Sequence, residues 1–373
     1  MTALSLPNCR IALDDNAFSC VKSGDYYTQK ASFAFEIPGV ITALGKNALR
    51  GTGVSGTVRL SDDITNIPDI SFSQCKNLKS VVLPDGITTI GDEMFAGCSS
   101  LTSVSIPNMV TRIGAGAFSG CTGLTAINVP DLVKSIGGNA FYGCSSLTAI
   151  SIPDSVKSIG ASAFRECSSL ATANIGNSVT SIEDYTFYKC SSLTSISIGI
   201  SMTSIGKDAF YGCKSLEEIS FNARNLTDGV LGTFSNLSKI TIGSQVSVLP
   251  AGFFKSSGQN LVSVNFEDRP EDSELFIGNS ALPKTSVLAL PNCRLALDMD
   301  ALRNVKPTFE VPGVIVALGS NAFSWSGVKG NICLSDEVKS IPSFAFHMCD
   351  SLTAVSIPNS VTSIEYAAFS NCI

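Results

Sequence analysis

Seven cysteines, Cys75, Cys98, Cys121, Cys144, Cys167, Cys190 and Cys213, stand 23 residues apart without a slip. Thiols pair as disulfides, ligate metals, or attack electrophiles once ionised. Zinc is set aside because the chain has no Cys-x-x-Cys pair and no Cys/His cluster at metal spacing. Nucleophilic catalysis needs a base beside the thiol, and the chain holds one histidine, His347. Stacked repeats would bring neighbouring thiols within disulfide reach. Side chains pointing the same way cannot all pair, however, and the total of 13 is odd. The expectation that remains is a ladder of reduced, buried thiols packed as small hydrophobes.

The rest of the chain offers little further chemistry. His347 occupies the slot after the repeat phenylalanine, where other repeats carry Tyr142 or Tyr211, and reads as a surface histidine with no nucleophile beside it. The glycine-rich stretch Gly51 to Gly56 lacks the lysine of a phosphate loop and reads as a corner. Asn225-Leu226-Thr227 and Asn236-Leu237-Ser238 fit the glycosylation pattern. No catalytic, cofactor-binding or metal residue is nominated, and no enzyme activity is expected. A net charge of −6 with no Lys/Arg-rich stripe argues against nucleic acid or an anionic membrane as partner. No apolar run of roughly 18 residues occurs, so no membrane insertion is expected.

The elements that hold these residues repeat with the cysteines. In Leu101 to Cys121, apolar Leu101, Val104 and Ile106 alternate with polar residues, which is the pattern of a short half-buried strand. Pro107 ends it, Val110 and Ile113 return to the core, and Gly114 turns a corner. Ala117-Phe118 then opens what reads as a short helical turn ending near Cys121. A fixed period of this length means one unit stacked on its copies, since no single unit can bury its own apolar face. Sixteen candidate strands follow, beginning near Leu4, and the nine from Phe35 to Ile219 keep an unbroken step of 23. The fold class expected is an α/β solenoid of about sixteen repeats, with a parallel sheet on one face and short helical or irregular turns on the other.

One solenoid over 1–373 is expected, in three stretches. Residues 1–221 are a regular array after an atypical first repeat, and 222–287 are irregular, with strand steps of 21 and 24 and an acidic insert from Glu267 to Glu274 that should bulge from a turn. Residues 288–373 repeat the opening block. Leu290-Pro291-Asn292-Cys293-Arg294 matches Leu6-Pro7-Asn8-Cys9-Arg10, and Phe309 to Ile315 matches Phe35 to Ile41, with the second copy ten residues shorter. The chain starts and stops inside a repeat, which reads as a fragment or a processed form.

The unit Leu-x-x-Val-x-Ile-Pro-x-x-Val-x-x-Ile-Gly-x-x-Ala-Phe-x-x-Cys, intact at Leu101 to Cys121 and Leu147 to Cys167, resembles the BspA-type, Treponema pallidum-like leucine-rich repeats. The resemblance implies a right-handed leucine-rich-repeat solenoid, a secreted or cell-surface location, and adhesion to host matrix or other cells. It carries over no site residue, because the motif consists of core positions.

Two surfaces compete for a binding role. The outward strand positions, such as Thr102, Ser103 and Ser105, form small polar stripes that suit either a glycan or plain solvation. One residue past the repeat phenylalanine, four consecutive repeats carry Tyr142, Arg165, Tyr188 and Tyr211. Stacked in register they would form a ridge of residue types that dominate interface energetics. Trp325 is a further candidate on the same logic. The function expected is binding of a protein or glycan ligand, host extracellular matrix among them; the alternative is a spacer within a larger surface protein.

Overall fold

A computed structural model of the protein describes residues 6–18, 34–223, 236–253, 262–282, 287–306 and 308–372. They fall into two compact units, one of residues 1–194 with 206–215 and one of 195–205 with 216–373. Among the described residues every strand pairing is parallel.

In the first unit two rows of short strands run in register. Leu78–Val82 pairs with Ser103–Val104, placing Val81 opposite Val104, and Ser135–Ile136 pairs with Ser158–Ile159, placing Ile136 opposite Ile159. Each of these steps is 23 residues, so the sequence period is the pitch of one coil. The conserved apolar positions of the phrase, Leu101, Val110, Ile113, Phe118 and Cys121 in one coil, are all fully buried. The phenylalanines form the spine. Phe95, Phe118, Phe141 and Phe164 stack ring on ring at 5.3 Å with interplanar angles of 14° or less, which adds about 0.5–1.5 kcal/mol per pair beyond area burial.

In the second unit the irregular steps of the sequence are real pairings. Ile219 faces Ile240 and Ile240 faces Val264, which faces Leu288. In the acidic insert Glu267, Asp268, Glu271 and Asp272 are exposed, and the insert leads into a paired strand. Glu274–Ile277 is a strand paired in parallel with Arg294–Leu297, and the Arg269 guanidinium donates to the carbonyls of Val246 and Gly243 at 2.8 and 3.1 Å. The arginine thus adds side-chain donors to two main-chain acceptors of the preceding coil.

The duplicated block is duplicated in three dimensions. Arg10–Leu13 pairs with Val40–Leu44 with a register shift after Ile11, and Arg294–Leu297 pairs with Val314–Leu318 with the same shift after Leu295. The bridges Phe35 to Val54 and Phe309 to Val328 correspond, as do the ion pairs Arg10–Asp63 and Arg294–Glu337. Arg10 faces Val40 while Arg294 faces Val314, so the ten-residue difference leaves the register intact.

Two expectations are corrected. The described residues contain no helix, so the architecture is a parallel β-solenoid rather than α/β. The described residues make about thirteen turns, short of the sixteen expected. Phe35 and Phe309 each make a single bridge instead of a strand, and the strand expected at Leu4 lies outside the described residues.

The reason for the missing helix is visible in the turn. Gly116 and Gly120 sit at φ 61° and 71°, in the left-handed region, on either side of Phe118. A helix cannot contain them in that state. Instead the turn alternates its bonding. Ala117, Ser119 and Cys121 donate amides to the carbonyls three residues back, closing successive tight turns, while Gly116, Phe118 and Gly120 donate to Gly138, Ala140 and Tyr142 of the next coil. Alternate carbonyls are spent within the coil and between coils, so no i to i+4 ladder can form.

Candidate interaction surface

The alternating turn fixes where each candidate side chain emerges. Phe118 and its equivalents point into the spine, and coil stacking aligns the next slot, which is buried at Ser73, Ala96 and Ser324 but reaches the surface at Tyr142, Arg165, Tyr188 and Tyr211. Four of the five nominated residues come together there. The Arg165 guanidinium lies 4.9 Å from the Tyr188 ring centre and 5.8 Å from that of Tyr142, and Tyr211 stacks on Tyr188 at 5.3 Å with 19° between planes. Arg165 reaches Tyr188 from the coil before and Tyr211 from the coil after, so both faces of the Tyr188 ring are covered.

Three more residues belong to this surface. Tyr185 meets Tyr188 edge to face at 5.7 Å and lies 5.9 Å from Arg165. Lys189 places its ammonium 5.3 Å from the Tyr188 ring, and Glu166 accepts the Tyr142 hydroxyl at 3.1 Å. That bond raises the Tyr142 pKa above the ordinary phenol value, since a nearby carboxylate disfavours the phenolate. The signal for these residues was in the sequence. Tyr185 stands two before the repeat Phe187, and Glu166 and Lys189 stand two after Phe164 and Phe187, at the left-handed turn positions that Gly97, Gly120, Gly143 and Gly212 fill in neighbouring coils. A left-handed glutamate and lysine each cost roughly 1 kcal/mol relative to glycine.

Trp325 lies in the second unit and has its own neighbours. It is 41% exposed, its ring receives the Lys306 ammonium at 5.5 Å, and the His347 ring meets it edge on at 5.8 Å. His347 is not a free surface histidine. It is half-buried, with Nδ1 2.6 Å from Ser370 Oγ and 3.1 Å from the Ser370 carbonyl. The Ser370 hydroxyl also lies 3.0 Å from the Ala367 carbonyl, so the ring nitrogen, the hydroxyl and the two carbonyls form one hydrogen-bonded cluster within the fold.

In the polar stripes the threonines are bonded within the fold. Thr102, Thr148 and Thr194 donate their hydroxyls to carbonyls 23 residues earlier, at 3.3, 3.4 and 3.1 Å. The cysteine ladder is committed too. All seven thiols are buried and unpaired as disulfides, and each donates to a main-chain carbonyl 26 residues earlier, Cys144 to Phe118 and Cys167 to Phe141 at 3.1 Å. Burial pushes Cys121, Cys167 and Cys213 up to about 12. Such thiols are poor nucleophiles and poor metal ligands. Among the described residues no group of His, Cys, Asp and Glu is placed to hold a metal ion, and no helix is long and apolar enough to cross a membrane.

Comparison with known proteins places this architecture. A model of the BspA type leucine rich repeat region matches residues 21–148, 134–262 and 303–373. No curated protein matches the chain. Among solved structures, the chain is similar to a T. pallidum leucine-rich repeat protein at 30% identity, with a TM-score of 0.40, covering 43% of this chain and 78% of that one. It is also similar to a leucine-rich cell surface protein of Faecalibacterium prausnitzii at 27% identity and TM-score 0.42, covering 86% and 81%. A Bacteroides ovatus leucine-rich repeat protein matches at 24% identity and TM-score 0.35, covering 85% of each chain. With the family model spanning most of its length, the chain belongs to the BspA-type leucine-rich repeat family.

Proposed function

We propose that the protein is a non-enzymatic interaction module, acting outside the cell or at its surface, which binds a protein or glycan ligand through the ridge of Tyr142, Arg165, Tyr188 and Tyr211. The observation that carries this reading is the continuous aromatic and cationic row across four consecutive coils, with Tyr188 covered on both faces. Tyr and Arg side chains bring large rigid area at modest entropic cost, which is why they concentrate binding energy. The cell-surface description of the F. prausnitzii relative supports the location.

The test is surface plasmon resonance against immobilised extracellular-matrix proteins and a glycan panel. Replacing Tyr142, Tyr188 and Tyr211 together by alanine abolishes whatever binding the wild type shows; unchanged binding overturns the reading. A second reading, a spacer that projects another domain, is favoured by the internally bonded threonines of the sheet face. It predicts no binding by the wild type at all.

A further inference from the structure

The ridge contains a cation whose hydrogen-bonding capacity is unused. Arg165 Nε is buried without a hydrogen-bond partner, and the nearest carboxylate oxygen, Glu166 Oε1, stands 3.6 Å from it, beyond a good hydrogen bond. Among the described residues nothing accepts a hydrogen bond from this guanidinium. Besides this long ion pair it is held by ring contacts, over Tyr188 at 4.9 Å with Tyr142 and Tyr185 at 5.8 and 5.9 Å. Glu166 is meanwhile engaged by the Tyr142 hydroxyl. A guanidinium has five N–H donors in a planar fork that matches a carboxylate, and stacking on aromatic rings leaves that fork free at its edge. Lys189 brings a second cation to the same ring at 5.3 Å.

The stacking also decides which ligand class suits the site. A sugar ring docks on an open aromatic face, but the faces of Tyr188 are taken by Arg165 and Tyr211. What Tyr188 and Arg165 offer outward is a ring edge, a hydroxyl and the guanidinium fork. Ring edges carry the positive end of the aromatic quadrupole, so the local complement is an anionic, hydrogen-bond-accepting chain rather than a sugar face. We propose that Arg165 anchors a carboxylate side chain on an extended acidic peptide segment of the partner, with Lys189 as the second cation and the tyrosine edges lining its path.

This rests on the ridge being the binding surface, and the test separates the two. The probes are hexaglutamate, hexaglutamine and an oligogalacturonate, titrated calorimetrically into the full chain at low and at physiological salt. Hexaglutamate is expected to bind, more weakly as salt rises. Hexaglutamine is expected not to bind, and oligogalacturonate to bind less tightly than hexaglutamate. Arg165→Gln is expected to weaken hexaglutamate binding about tenfold or more, the scale of one charge-assisted bidentate contact. Arg165→Lys, which keeps the charge and the aliphatic stem, guards against a folding defect and should give a smaller loss. No hexaglutamate binding, equal binding by Arg165→Gln, equal binding of hexaglutamine, or tighter binding of the acidic sugar each overturns the assignment. If the triple tyrosine variant loses matrix binding while Arg165→Gln retains it, the anchor is refuted and the ridge stands. If neither variant changes binding, both fall.

Discussion

Cys144 donates its thiol hydrogen to the carbonyl oxygen of Phe118, 3.1 Å away in the preceding coil, and that same oxygen accepts the amide of Cys121 at 3.1 Å. The thiol therefore closes the second lone pair of an acceptor buried in the spine. The same contact recurs from Cys75, which donates to Leu49, through Cys213, which donates to Phe187.

A hydroxyl should then replace this thiol better than a methyl can. Cys144→Ala removes both a buried atom and the donor and should cost about 1–2 kcal/mol. Cys144→Ser keeps a donor and should cost less; Thr52 and Ser326 occupy the equivalent slot in the two opening blocks. Urea unfolding of the two variants gives the order, and a serine variant less stable than the alanine one would contradict the hydrogen-bonding role.

Alkaline pH should unfold the protein through the ladder. Cys121, Cys167 and Cys213 are held near 12 and Cys349 near 11 by burial, against an ordinary value of about 8.5 in the unfolded chain. Between those limits the folded state binds more protons, so stability is intact below about pH 8.5 and falls as pH rises through 11 and 12. Each of these thiols contributes a slope of about 1.4 kcal/mol per pH unit within that window. Denaturant midpoints measured from pH 7 to 11 should be flat and then decline; a midpoint that stays level to pH 11 would be incompatible with these values.

Alkylation should read the same burial directly. Among the described cysteines Cys9 and Cys333 are exposed. Iodoacetamide at neutral pH should label these two within the time that leaves Cys98 to Cys190 untouched, with the ladder reacting only in denaturant, as mass spectrometry of digests would show. Rapid native labelling of Cys121 or Cys144 would refute a closed core.

The duplicated block predicts paired sensitivity. A Cβ on Gly39 would collide with the Cys9 carbonyl, and one on Gly313 with the Cys293 carbonyl. Both obstacles are main chain and cannot swing away. Gly39→Ala and Gly313→Ala should each destabilise by about 1–3 kcal/mol, whereas Gly86→Ala, with open space around it, should be within about 0.5 kcal/mol of neutral. Melting curves for the three variants decide the point.

Much of the solenoid is legible in the amino-acid sequence. The step of 23 became the coil pitch, because identical phrases bury identical faces and a parallel ladder accepts only equal steps, as at Ile136 opposite Ile159. Even the irregular steps around Ile240 survived as pairings. The helical turn was misread because Ala117-Phe118 looks favourable for a helix in isolation; Gly116 and Gly120 in the left-handed region send alternate carbonyls to the neighbouring coil instead. The acidic stretch is exposed, in keeping with its charge, and Arg269 ties it to main-chain carbonyls.

The row of Tyr142, Arg165, Tyr188 and Tyr211 was readable as a register, since one slot repeated at one period must align. The sequence by itself determined the period, the buried positions and that alignment, for all three follow from a single repeating phrase. Only the tertiary structure decided that Tyr185, Glu166 and Lys189 join the row, that both faces of Tyr188 are covered, and that Arg165 Nε lacks a hydrogen-bond partner. Those outcomes depend on side-chain directions between coils, which a left-handed residue at each turn sets and a linear spacing cannot express.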